Sequence, residues 1–173
     1  MTSSAYYCVL VGSVALERLA ELVVAKRNLA WSLSRGGQET GFAHYPFMVA
    51  LHTGLLAGCL IEVFAAHRDF VPALGWPMLA LVVASQALRW WCIRTLGPQW
   101  NTRIVVVRGL ARVDGGPYRF FSHPNYVAVV VEGFALPLVH SAWVAALVFS
   151  VLNAGLLVVR IRAENAALVA AYA

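Results

Sequence analysis

Apolar residues along this chain come in long runs, and polar residues gather in the connections between them. Five runs reach or approach the ~20 residues that an α-helix needs to cross a bilayer. The first extends from about Ala5 to Ala25, the second from His44 to Phe64 and the third from Val71 to Arg94. A fourth, Pro124 to Val139, is short, and the fifth covers Ala142 to Arg160. Pro137 and the His140-Ser141 pair break the last apolar stretch in two, which predicts a tight helical hairpin. The pattern therefore predicts an all-α integral membrane protein of about five transmembrane helices. It forms one domain over residues 1–173, with 1–96 supplying the first three helices and 97–173 a lid and the helical hairpin.

Composition strengthens this expectation. Hydrophobic residues make up 61% of the chain and charged residues 12%, with a mean hydropathy of +0.72. A soluble core of 173 residues could not bury that much apolar surface. Ten of the thirteen Lys and Arg residues fall in three places: Lys26 to Arg35, Arg94 to Arg119, and Arg160 with Arg162. The positive-inside rule makes those the cytoplasmic connections and puts the N-terminus outside and the C-terminus inside. The implied location is a bacterial inner (plasma) membrane, with the lipid bilayer as partner and the polar connections facing the cytoplasm. The net charge of +5 is explained by this topology, and no basic patch interleaved with aromatics points to nucleic acid. Glu17, Arg18 and Glu21 inside the first run argue for a retained helix rather than a cleaved signal. Arg18 and Glu21, three apart, suggest an ion pair that orders helix packing. Arg89, Trp90, Trp91 and Arg94 read as an interfacial belt. Cys8, Cys59 and Cys92 lie singly in apolar runs without metal spacing, and nothing calls for a metal.

The connection from Gly97 to Phe121 is patterned rather than random. Ile104-Val105-Val106-Val107 is β-branched, and Asp114-Gly115-Gly116-Pro117 is a strong turn signal. A short local hairpin or lid lying on the membrane face is expected. Directly after it come His123-Pro124-Asn125-Tyr126, where the proline marks a helix start. Free amides there, with Arg119 nearby, suit an anionic group, although Tyr, His and Arg also serve as interfacial anchors. Glu132, six residues beyond Tyr126, costs about 2.5–3.5 kcal/mol on insertion scales and must face protein or a water-filled pocket. Arg160 and Glu164, four apart, share a helix face. They form either a solvated helix end or a clamp for a zwitterion. His44 stands at the entrance of the second run with Glu39 before it, and His52 is two turns further along nearly the same face. An imidazole in that place can take a proton from a hydroxyl near neutral pH, or can be a packed, hydrogen-bonded residue.

Together, Gly116-Pro117-Tyr118-Arg119, His123-Pro124-Asn125-Tyr126, an apolar hairpin, Arg160 and Glu164 resemble the isoprenylcysteine carboxyl methyltransferase family. Two positions depart from its pattern: Ser122 stands where a basic residue is frequent, and Asn165 where a second Glu is frequent. The resemblance implies S-adenosylmethionine as cofactor, held by Tyr118, Arg119, His123, Pro124, Asn125, Tyr126, Glu132, Arg160 and Glu164. In the N-terminal half, Glu17 to Leu22, Glu39 to Pro46, His52 and Leu96 to Arg103 look like a bacterial branch associated with type III polyketide synthases. That likeness implies O-methylation of a lipophilic small molecule, a long-chain alkylpyrone or alkylresorcinol, with His44, His52 and Trp100 on the acceptor side. Arg160 is expected at the reacting centre, with His44 or Glu39 as base for a weakly acidic hydroxyl. Rival readings are carboxyl methylation of a prenylated cysteine, a nicotinamide-dependent membrane reductase, and a non-catalytic carrier or scaffold. The oligomeric state is left open.

Overall fold

The computed structural model describes residues 3–172. Five α-helices carry almost all of it: α1 Ser3–Leu33, α2 Tyr45–Ala65, α3 Pro72–Leu96, α4 Pro124–Leu138 and α5 Trp143–Tyr172. Each matches one expected apolar run, but α1 and α5 continue well past the apolar part. Lys26 to Leu33 contains no breaker. The helix stops only where Gly36 takes a left-handed conformation (φ 75°) and the Gly37 amide returns to the Ser32 carbonyl. Helices α2, α3 and α4 each begin with a proline in the first turn, where no amide donor is needed.

The surface is apolar and the interior holds charge, the reverse of a soluble domain. Val9, Leu16, Val23, Phe47, Ile61 and Val151 are all exposed, whereas Glu21, Arg89, Glu132 and Arg160 are buried. Such a surface suits hydrocarbon rather than water. The segments Phe42–Ala65 and Trp143–Ala171 are long and apolar enough to cross a membrane. Helix α4 has 15 residues and packs between α3 and α5. Its approach to α5 depends on Gly133, where a Cβ would lie 1.9 Å from the Phe149 ring. At the end away from the lid, Tyr7 donates to the Leu136 carbonyl at 3.1 Å, and Glu62 accepts from the Ala145 amide at 2.7 Å, capping α5.

Inside the bundle, Arg18 pairs with Glu21 at 2.8 Å, as the spacing predicted. Arg89 was expected in an interfacial belt, but it is buried and pairs with Glu132 at 2.6 Å. Arg18 reaches the same carboxylate at 3.3 Å. Charge this deep is tolerable only when paired, and the network joins α1, α3 and α4. Glu132 thus serves packing and does not enter the cluster around Tyr126.

The lid also differs from expectation. Strand β2, Ile104–Val106, pairs antiparallel with β1, Gln38–Thr40, from the α1–α2 connection rather than with a strand of its own segment. The register sets Glu39 opposite Val105. Short polar Gln-Glu-Thr gave no strand pattern, so the partner was not legible. Gly116 to Arg119 form a 3-10 turn. Gly116 there has φ 56°, and a Cβ would meet the Thr95 hydroxyl at 2.5 Å, so glycine lets the lid seat on α3.

Candidate active site

The start of α4 and the end of α5 meet beneath the lid. Arg160 is buried and donates Nε to the Tyr126 hydroxyl at 2.9 Å. That hydroxyl in turn donates to Glu164. The His123 ring stacks on Tyr126 with centroids 5.4 Å apart, and its Nδ1 lies 3.8 Å from Glu164. Arg160 and Glu164 are therefore joined through a phenol rather than directly. The other two guanidinium nitrogens donate to the Met48 sulfur at 2.8 Å and to the Thr102 carbonyl. All three partners are neutral, and Arg160 forms no ion pair among the described residues. A buried guanidinium with a thioether for an acceptor is poorly compensated and suits an incoming anion.

Two compartments meet at this cluster. A small polar cleft under the lid is lined by Tyr118, His123, Asn125, Tyr126, Arg160 and Glu164, with Trp100 and β2 forming its other side. A second recess of about 140 Å³ adjoins it past Tyr118 and Arg112. Burial pushes the Tyr118 phenol well above its ordinary range, so it stays protonated and can donate. The other compartment is an apolar cavity of about 300 Å³ between α1, α2 and α5. Its lining includes Leu19, Leu22 and Val49, which are also exposed on the bundle surface, so the cavity reaches the lipid-facing side. Trp100, Asn125, Tyr126 and Arg160 line both compartments and form the wall between them.

The expected site residues divide clearly. The structure brings together Tyr118, His123, Asn125, Tyr126, Arg160 and Glu164, with Pro124 buried as the start of α4. Trp100 sits in the wall and His52 in the apolar cavity. Arg119 is exposed, over the Phe120 ring, and lines neither compartment. Glu39 is bonded to Arg103 at 2.9 Å, which in turn covers the Tyr45 ring, so its carboxylate clamps the lid instead of facing the cavity. That pairing holds the Arg103 guanidinium above its ordinary range. The His44 ring folds against Gly41, whose missing Cβ would lie 2.2 Å away, and it lines neither compartment. Met48 and the Thr102 carbonyl were missed. Nothing in the sequence marks a methionine or a backbone oxygen as an arginine partner.

The fold is a helical bundle of membrane type in which a polar cleft and an apolar cavity share one wall. Residues 78–170 match the model of the isoprenylcysteine carboxyl methyltransferase (ICMT) family. The chain belongs to that family, and its class is therefore the S-adenosylmethionine-dependent, membrane-associated methyltransferases. It is also 37% identical over 163 residues to "Uncharacterized protein YpbQ" of Bacillus subtilis (strain 168), covering 94% of this chain and 96% of that protein. No solved structure matches the chain. The donor set fits a cofactor bearing both an ammonium and a carboxylate. Glu164 supplies an anion and Arg160 a cation that has no anionic partner among the described residues, and both line the same cleft.

Proposed function

We propose that this protein transfers a methyl group from S-adenosylmethionine to an oxygen of a lipophilic acceptor, a long-chain alkylpyrone or alkylresorcinol polyketide. The observation that carries this reading is the shared wall of Trp100, Asn125, Tyr126 and Arg160 between the polar cleft and the apolar cavity. The cofactor supplies an electrophilic methyl group on a sulfonium. Glu164 holds its ammonium or ribose hydroxyls, Arg160 its carboxylate, and Tyr118, His123, Asn125 and Tyr126 line the rest of its cleft. The acyl tail of the acceptor enters sideways past Leu19, Leu22 and Val49 and leaves its oxygen at the wall. Alignment of two molecules from different phases and exclusion of water are the protein's main contributions. Five helices cross the bacterial plasma membrane with the N-terminus outside, and the lid faces the cytoplasm. Charge placement supports that orientation.

A second reading, carboxyl methylation of a prenylated cysteine, is favoured by the family's description. Family membership favours either over a nicotinamide reductase or a carrier. Vesicles carrying the protein, supplied with labelled S-adenosylmethionine and a panel of acceptors, decide between them. The expected result is label on alkylresorcinol or alkylpyrone, in inverted vesicles only, because the cofactor does not cross the bilayer. Label on prenylcysteine alone would favour the second reading, and label on no acceptor would reject both. Activity in right-side-out vesicles alone would reverse the orientation.

A further inference from the structure

We propose that His52 is the group that takes the proton from a neutral hydroxyl acceptor, and is thus a catalytic residue of this reaction. The inference rests on the methyltransferase reading above. His52 lies on α2 one turn after Met48, and its Nδ1 is 2.8 Å from the Met48 carbonyl oxygen. A carbonyl only accepts, so Nδ1 carries the hydrogen and Nε2 keeps a free lone pair. Nε2 makes no hydrogen bond among the described residues, and it is not sealed off as His140 Nδ1 is. The ring is fixed by an edge contact with Phe149, centroids 5.3 Å apart, and it lines the apolar cavity.

Met48 also ties this imidazole to the wall, because its sulfur accepts from Arg160. His52 stands one helical turn, ~5.4 Å of rise, deeper than that contact. An acceptor oxygen at the wall is then reached directly or through one water. The charges of Arg18 of α1, Arg89 of α3 and Glu132 of α4 act on the ring, and Glu21 of α1 and Arg160 of α5 line the same cavity. Arg18 is paired with Glu21, and Arg89 with Glu132. None of these groups hydrogen-bonds His52, so none competes for Nε2. Glu39 and His44, the other candidates for this role, line neither compartment. In the step, the bond from acceptor oxygen to methyl forms as the sulfur–methyl bond breaks, with its electron pair left on sulfur. The hydroxyl proton goes to Nε2 and later to water.

The test uses full-length protein without cofactor and an alkyl nitrophenol whose phenolate absorbs in the visible. Wild type is expected to bind it and ionise it as pH rises through the neutral range. In His52→Asn, which keeps a donor for the Met48 carbonyl, the bound phenol should ionise at least tenfold less at neutral pH. His52→Gln, in a different shape, should do the same. With cofactor present, the phenol methylation rate of either variant should fall about 10²–10⁴-fold relative to that of an acidic, already ionised pyrone enol. Equal ionisation of the bound probe in wild type and in a folded variant, or an equal fall for both acceptors, would overturn the role of His52 while leaving the methyltransferase reading intact. Failure of wild type to bind the probe would count against the acceptor cavity itself, and with it both readings.

Discussion

Tyr126 sits where three parts of the site join: its hydroxyl accepts from Arg160 at 2.9 Å, donates to Glu164, and its ring lies on His123. Hydrogen bonds to charged groups contribute about 1.5–3 kcal/mol each. Tyr126→Phe keeps the ring and its stacking but removes the bridge between cation and anion. Cofactor affinity in the variant is expected to fall roughly 10–100-fold, one such bond's worth, and its melting temperature to fall as well, because buried Arg160 loses an acceptor. A calorimetric comparison with wild type checks this. The motif residues His123, Tyr126, Arg160 and Glu164 were legible in the chain because proline fixes the helix start and i,i+4 spacing fixes a shared face. Their join through a phenol was not legible, since it depends on how α4 crosses α5. The fate of Glu132 and Arg89 was likewise hidden. Glu132 reads as an intramembrane charge and Arg89 as part of an interfacial belt, and only the packing of α3 on α4 shows that they neutralise one another at 2.6 Å.

At the scale of elements, the hairpin α4–α5 and the lid strand set the cleft's shape. Helices were readable because apolar runs and prolines mark them. The β1–β2 pairing was not, because its three-residue strands are held across 64 residues by register and by the Glu39–Arg103 pair. Gly133 is a close-packed point of the hairpin, facing the Phe149 ring that also touches the edge of His52. Gly133→Val must push that ring or the helices apart. Overpacking of this kind costs about 1–3 kcal/mol, so the thermal midpoint in detergent should drop. Acceptor turnover should suffer more than cofactor binding, because Phe149 supports the apolar cavity and not the polar cleft. Equal losses in both would mean that the two compartments are not separately supported.

For the whole molecule, an apolar exterior around a charged interior explains why composition alone predicted a membrane protein. The extension of α5 beyond its apolar part places Glu164 and Leu168 against the lid, so the site is built partly by helix that projects past the apolar span. The central claim is that this projection, with the start of α4, forms a cofactor cleft separated from a lipid-accessible cavity by one wall. Calorimetric titration of S-adenosylmethionine into detergent-purified protein tests it most directly, with Glu164→Ala and His123→Ala alongside. Saturable binding by wild type, weakened in both variants while each remains folded, is the predicted result. A well-folded wild type that takes up no S-adenosylmethionine, or variants that bind as tightly as wild type, would contradict the account.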